Sequence, residues 1–116
     1  MCALVRSRSL AFRQQRECCF YCGLPMWQSD LLAFAKRHGL SDKQAAGLQC
    51  TAEHLTARSD GGGDGTGNIV AACLYCNRQR HKAAKALPPD RYKVHVRSRV
   101  SLGRWHGLLP VFRRQP

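Results

Sequence analysis

Apolar residues in this chain fall into short blocks, separated by turn residues and charged clusters. Residues 48–55 and 68–72 each predict a short strand. Residues 56–67, which lie between them, hold five glycines together with serine and aspartate, a composition typical of a flexible turn. From Cys73 the pattern becomes helical, and the alanine-rich stretch that follows ends at Pro88-Pro89. The order strand, loop, strand, helix predicts a small ββα unit.

Two further helices are predicted before this unit, in residues 28–47. The first has apolar positions at helical spacing, with Ser29 or Asp30 as its cap and Gly39 as the residue that ends it. A second short helix is predicted for residues 41–46. We interpret this segment as an insertion that packs against the unit.

The whole chain is predicted to divide into three regions. Residues 1–17 form a basic N-terminal arm, for which a short helix and a disordered arm are both open. Residues 18–87 form the central domain, which begins with a tight turn at Gly23. Residues 88–116 begin with a basic helix at the proline pair and end in a loose tail. Several late apolar residues are expected to fold back onto the core, namely Trp105, Leu108, Leu109, Val111 and Phe112.

Four of the seven cysteines form two C-x2-C pairs, Cys19 with Cys22 and Cys73 with Cys76. This spacing lets two sulfurs of one turn reach a single ion. Four thiolates leave no open position for water, so the predicted zinc site is structural. Two alternatives stay open: four buried thiols without metal, and Cys18 in place of Cys19.

Charge and hydropathy indicate which kind of partner the protein has and where it is located. Nineteen Lys and Arg against seven Asp and Glu give a net charge of +12, which favours a polyanion as partner over a merely solvated basic surface or association with ribosomes. No apolar run approaches the length of a membrane span, and no signal peptide is visible. An odd number of cysteines argues against a disulfide framework. We therefore expect no membrane partner and a cytoplasmic protein, encoded by a bacterium or a phage.

The polar residues around the hairpin carry a family resemblance. Glu53-His54 precedes the glycine-rich loop, Asn68 follows it, and Asn77 and His81 lie in the helix framed by the second cysteine pair. With the cysteine pairs, these residues resemble the HNH endonuclease family, whose fold is called ββα-metal. The resemblance implies an α+β fold stapled by structural zinc, with added helices before and after the unit. It also implies hydrolysis of DNA with a separate catalytic ion, Mg²⁺ or Mn²⁺.

The resemblance further assigns roles to individual residues. His54 is the general base, since an imidazole can accept a proton from water at neutral pH. Glu53 and Asn77 hold the catalytic ion, and His81 either joins them, contacts phosphate or is a solvated helix residue. Asn68 orients His54 by bridging backbone across the loop, although it could also be an ordinary turn residue. Because neighbouring strand residues point to opposite faces, Glu53 and His54 need a local twist or bulge to serve one site.

Two residues depart from the family pattern. Asn77 stands where the third letter of the HNH motif denotes His, and Glu53 stands where Asp is commoner. Basic residues near the site are predicted to grip phosphates, namely Arg58, Arg78, Arg80, Lys82 and Lys85. We expect low sequence specificity and DNA as substrate, with RNA not excluded and both monomer and homodimer open. The alternative functions are a catalytically inactive, zinc-stapled DNA- or RNA-binding module and a zinc-stapled interaction protein.

Overall fold

The computed structural model describes residues 2–114. Within them, the chain forms helices and a two-stranded sheet, in this order: α1 (Ala3–Gln14), α2 (Leu31–His38), α3 (Asp42–Ala46), β1 (Cys50–His54), β2 (Ile69–Cys73), α4 (Leu74–Lys82), α5 (Pro89–Ser101) and α6 (Leu109–Arg113). A single 3₁₀ turn, Arg58–Asp60, interrupts the loop between the strands. The predicted α+β class and the ββα order are confirmed.

The two strands pair antiparallel in an unbroken register from Cys50 opposite Cys73 to His54 opposite Ile69. We expected a local twist or bulge at Glu53 and His54, and the bulge is absent, since the pairing continues through both residues. Regular alternation therefore keeps their side chains on opposite faces of the hairpin.

The N-terminal segment forms a helix that packs against both strands. Phe12 lies on the buried face of α1, and Gln15 follows the last residue of the helix. The Gln15 amide makes two hydrogen bonds with the backbone of Ala71, accepting from its N–H at 2.9 Å and donating to its carbonyl at 2.8 Å. These bonds satisfy the outer edge of β2, which would otherwise expose unpaired backbone groups. Of the two alternatives for this segment, the helix is the one observed.

Local capping explains the helices before the hairpin. The Asp30 carboxylate accepts a hydrogen bond from the Ala33 N–H at 3.0 Å and so caps α2. Gly39 follows the helix with φ of 67°, a left-handed conformation that glycine adopts without strain. Ser41 caps α3 through a reciprocal pair of bonds with Gln44. The predicted starts and ends of these helices are confirmed.

Helix α4 is shorter than its sequence predicts. It ends at Lys82, and Ala83 is extended with ψ of 138°, although the alanines at 83, 84 and 86 favour helix. The Arg80 guanidinium donates to the Leu87 carbonyl at 3.0 Å, which turns the chain back across the end of the helix. This tertiary contact overrides the intrinsic preference of the alanines.

The C-terminal region completes the core. Helix α5 begins at Pro89 and buries one face, made of Tyr92, Val96 and Val100, as its spacing predicts. The late apolar residues do pack against the core, and part of them form α6, a helix the sequence did not reveal. No helix among residues 2–114 has the length and apolar character of a transmembrane segment. We predicted a loose tail at the end of the chain. Positions 115–116 of that tail lie outside the described residues.

Leu48 offers a direct test of this packing. It is 0% exposed at the start of the hairpin, so Leu48→Ala should lower the free energy of unfolding by about 2–5 kcal/mol through lost burial and a cavity. Leu32, which is 66% exposed in α2, is the matched control, and Leu32→Ala should change it by less than about 0.5 kcal/mol. Urea denaturation of both variants measures the difference. Equal losses would show that Leu48 is not part of the core.

Candidate functional site: a four-thiol cluster beside a polar cleft

Both C-x2-C pairs meet in one buried cluster. The sulfurs of Cys19, Cys22, Cys73 and Cys76 all lie within 4.8 Å of one another. Tetrahedral sulfur ligands at ~2.3 Å from zinc would be roughly 3.8 Å apart, and the Cys22 and Cys73 sulfurs are 4.0 Å apart. The Cys18 thiol instead donates to the Arg16 carbonyl. The cluster could therefore hold a metal ion, with Cys19 rather than Cys18 as a ligand.

Hydrogen-bond donors surround these sulfurs. The N–H groups of Tyr21 and Cys73 point at the Cys19 sulfur, at 3.4 and 3.2 Å, and the Trp105 indole N–H donates to the Cys76 sulfur at 3.3 Å. Hydrogen bonds among the four thiols, with that to Cys19 the largest cause in both cases, lower the pKa of Cys22 and raise the pKa of Cys76. The surrounding N–H donors favour thiolate, which is the form that binds metal.

Glu53 is the buried anion of the site. Its side chain is 2% exposed, and its Oε2 accepts from the Tyr21 hydroxyl at 3.1 Å and from Arg80 Nη1 at 3.3 Å. The second oxygen, Oε1, lies 3.1 Å from Nε2 of His81. Burial and the Glu53 charge raise the pKa of Tyr21, so its hydroxyl remains a donor. The Arg80 cation compensates a carboxylate that would be costly to bury alone.

Arg80 therefore corrects one prediction. It is 8% exposed and its guanidinium is engaged with Glu53 and the Leu87 carbonyl, so it is not available to grip a phosphate. A sequence signal for this role exists, since Arg80 follows Cys76 by four residues and so shares its inward helix face. Tyr21, the other donor to Glu53, lies between the two cysteines of the first pair and had no such signal.

Asn77 lies one turn before His81 on α4 and faces β1. Its Nδ2 donates to the Thr51 hydroxyl at 3.0 Å and, more weakly, to the Ala52 carbonyl at 3.4 Å. Both bonds use the nitrogen, which leaves the amide oxygen available as a ligand.

A cleft of about 510 Å³ joins the predicted site residues. It opens at the end of β1, where the strand passes into the loop, so a side chain from either face of the hairpin can reach it. The residues along it are Ala52, Glu53, His54, Ala57, Arg58, Ser59, Asn77 and His81. The cleft thus brings together Glu53 and His54 without the bulge that we expected.

His54 is paired with a carboxylate that sequence reasoning did not single out. Its Nε2 lies 2.8 Å from Oδ1 of Asp64, and Arg58 Nη2 lies 3.2 Å from the same oxygen. The hydrogen bond with His54 lowers the pKa of Asp64, and Arg58 adds to this effect. Because Asp64 sits among glycines and small polar residues, the sequence indicated only a turn there.

Asn68 bridges the backbone across the glycine-rich loop. Its Oδ1 accepts from the Thr56 N–H at 2.8 Å, and its Nδ2 donates to the carbonyls of Thr56 at 3.0 Å and Gly63 at 2.9 Å. The loop passes so close that a Cβ on Gly62 would lie 1.8 Å from the Thr56 oxygen and 2.8 Å from the Asn68 nitrogen. The loop that holds Asp64 is therefore tightly fastened to the end of β1.

Glu53 and His81 place two donor atoms at a separation that ligands of a second cation could have. Octahedral ligands at ~2.1 Å from Mg²⁺ and at right angles to each other are roughly 3.0 Å apart, and Glu53 Oε1 lies 3.1 Å from His81 Nε2. Carboxylate and amide oxygens suit Mg²⁺ or Mn²⁺, and an added imidazole makes the set softer, so that it could also accept Co²⁺ or Ni²⁺. Among the predicted phosphate contacts, Arg78, Lys82 and Lys85 are exposed, whereas Arg58 is already paired with Asp64.

Comparison with known proteins identifies the segment that contains this cleft. Residues 36–83 match the family model described as HNH endonuclease. This match agrees with the resemblance that the motifs of the hairpin and the helix carry. The matched segment includes the hairpin, α4 and the second cysteine pair, and the first cysteine pair lies before it. No curated protein and no solved structure matches the chain.

The thiol cluster predicts a clear difference between one of its own cysteines and Cys18, which lies outside it. Cys76→Ser should lose the bound metal and much of the helical signal, because serine oxygen is a poor ligand for the soft ion that a thiolate site selects. Cys18→Ser is the matched control and should keep one ion per chain. Metal analysis by mass spectrometry and circular dichroism measure both effects. Retention of metal by Cys76→Ser would contradict a four-cysteine site.

The loop geometry predicts an equally sharp difference between adjacent glycines. Gly62→Ala should break the Asn68 bridge, because the new methyl group collides with backbone, and should destabilise the protein by about 1–3 kcal/mol. Gly63→Ala should be tolerated, since nothing lies within 4 Å of its Cβ position. Thermal unfolding of the two variants compares them. Equal stability would mean that the loop does not pass this close to Thr56.

Proposed function

We propose that the protein is a metal-dependent HNH endonuclease that hydrolyses DNA phosphodiester bonds. The observation that supports this best is the shared cleft, in which Glu53, His54, Asn77 and His81 lie together at the end of the hairpin. The cleft falls within the segment that matches the family. Its groups are those that metal-assisted hydrolysis needs, namely a base, a carboxylate and further neutral ligands.

His54 is the general base in this proposal. Its imidazole removes a proton from a water molecule in line with the scissile bond. The attacking oxygen then bonds to phosphorus as the bond to the 3′-oxygen breaks, leaving 5′-phosphate and 3′-hydroxyl ends. Asn68 keeps the loop closed beside His54 through its three backbone hydrogen bonds.

Glu53, Asn77 and His81 would hold the catalytic ion, Mg²⁺ or Mn²⁺. Bound there, the ion supplies positive charge that stabilises the phosphate and the leaving oxygen. Arg80 and Tyr21 keep the Glu53 carboxylate in place from the side away from His81. A zinc ion in the four-thiol cluster is structural in this account, because four cysteine ligands leave no position for water.

Electrostatics supports nucleic acid as the partner. The net charge is +12, and three exposed cations lie on or just after α4, the helix that carries His81, namely Arg78, Lys82 and Lys85. Contacts of this kind attach to phosphates and do not read bases. We therefore propose low intrinsic sequence specificity, with one site per chain and nicking as the elementary event.

A second candidate is a zinc-stapled module that binds nucleic acid without cleaving it. One observation favours it. The Glu53 carboxylate already has three partners, namely Tyr21, Arg80 and His81. Its direct contact with His81 must break before Glu53 can bind an ion.

Replacement of the base tests the leading proposal. With Mg²⁺ or Mn²⁺ present, His54→Ala should nick supercoiled plasmid at least ~100-fold more slowly than the wild type, which is the usual contribution of a general base. His95→Ala is the matched control, because His95 is an exposed histidine on α5, away from the cleft, and should leave the rate unchanged. Gel analysis of plasmid forms gives the rates.

The outcomes separate the two candidates. Equal nicking by His54→Ala and wild type would remove His54 as the base. DNA binding without cleavage by the folded, metal-bound wild type would favour the binding module.

A further inference from the structure

Asp64 is an acidic residue placed directly on the proposed base. It lies ten residues after His54, in the loop between the strands, and its Oδ1 is 2.8 Å from the imidazole Nε2. The His54 side chain is 19% exposed and that of Asp64 is 37% exposed. A contact this short between a carboxylate and an imidazole is a charge-assisted hydrogen bond.

The position of Asp64 is fixed by contacts from α1, from Asn68 and from within the loop itself. The buried Ser7 hydroxyl on α1 donates to the Asp64 carbonyl at 2.6 Å. The carbonyl just before it, that of Gly63, accepts from the Asn68 amide at 2.9 Å. Arg58 holds the carboxylate itself, with Nη2 at 3.2 and 3.3 Å from its two oxygens. Separate elements of the fold thus converge to aim Asp64 at His54.

This contact determines which imidazole nitrogen carries the proton. An ionised carboxylate can only accept, so Nε2 of His54 must be the donor to Asp64. The neutral ring then has its lone pair on Nδ1. Arg58 Nε also points at Nε2, at 3.3 Å, but a protonated Nε2 cannot accept this longer contact. The shorter contact with Asp64 therefore decides the tautomer.

We propose that Asp64 is the positioning residue of His54: it holds the ring in the Nε2–H tautomer and leaves Nδ1 to accept the proton from water. This inference rests on the proposed nuclease function. Water gives its proton to Nδ1, and the resulting hydroxide bonds to phosphorus as the bond to the 3′-oxygen breaks. The leaving oxygen takes a proton from solvent. The imidazolium formed meanwhile keeps its Nε2–H bond to Asp64, which stabilises its charge.

The tautomer can be observed without any cleavage. In ¹⁵N-labelled, metal-loaded protein above neutral pH, the nitrogen signals of His54, assigned by their loss in His54→Ala, should show a proton on Nε2 and a bare Nδ1. In Asp64→Ala the same signals should move towards a mixture of the two tautomers. A wild-type His54 that carries its proton on Nδ1, or signals unchanged in Asp64→Ala, would overturn the proposal.

Kinetics gives the second readout. Asp64→Ala should lower kcat for plasmid nicking by about 10- to 100-fold, which is part of the usual contribution of a general base, while KM changes by less than ~3-fold. Asp64→Glu, which restores a carboxylate, should recover part of the rate. Asp60→Ala is the matched control, because Asp60 lies in the same loop and is exposed, and it should nick like the wild type.

The two proposals fail in different ways. An active wild type with an equally active Asp64→Ala would overturn the role of Asp64 and leave the nuclease intact. A wild type that cleaves no DNA would overturn the nuclease proposal, and the catalytic role of Asp64 with it, while the nitrogen signals would still show whether Asp64 sets the tautomer. A fall in rate with an equal fall for Asp60→Ala would show loop damage and would also contradict a specific role.

Discussion

The constraint on which the rest of the structure depends is the meeting of two distant cysteine pairs. It fastens the knuckle at residues 18–27 to the junction of β2 and α4, more than fifty residues further along the chain. The knuckle carries Tyr21 between its cysteines, and Tyr21 donates to Glu53. The C-terminal region is attached to the same point, because Trp105 donates to the Cys76 sulfur. An ion in this cluster would thus support the acidic residue of the cleft, although it would take no part in chemistry.

The hairpin separates two charge systems that the cleft then reunites. On one face, the buried Glu53 carboxylate is compensated by Arg80 in a dry environment, where an unpaired charge would be costly. On the other, His54 is paired with Asp64 in a half-exposed position. Strand alternation keeps the two anions apart, so each can be tuned by its own partners. Both systems border the cleft at the end of β1.

The sequence predicted those features that depend on neighbouring residues. Strand and helix periodicity, the caps at Asp30 and Ser41, and the cysteine spacing are local signals, and the structure agrees with them. Features that depend on distant contacts were missed or misread. Arg80 was interpreted as a phosphate contact because a basic residue in a basic helix is usually exposed, whereas its partner Glu53 lies 27 positions away.

Other differences have the same origin. The alanines after α4 favour helix, but the Leu87 carbonyl draws the chain back to Arg80. A local twist or bulge was expected because Glu53 and His54 were assumed to need one face, and the cleft at the strand end lets both line one site without a bulge. Asp64 was unnoticed because nothing in a glycine-rich loop indicates which side chain its folding will place on His54.

The central claim is that structure and chemistry use two different metal ions. The most direct test follows zinc content and plasmid nicking in the same sample while a mild chelator and then Mg²⁺ are added. We predict that the chelator stops nicking while one zinc remains bound per chain, and that Mg²⁺ restores nicking without any change in zinc content. Nicking that persists in the chelator, or that is lost and regained only in step with zinc, would contradict the account.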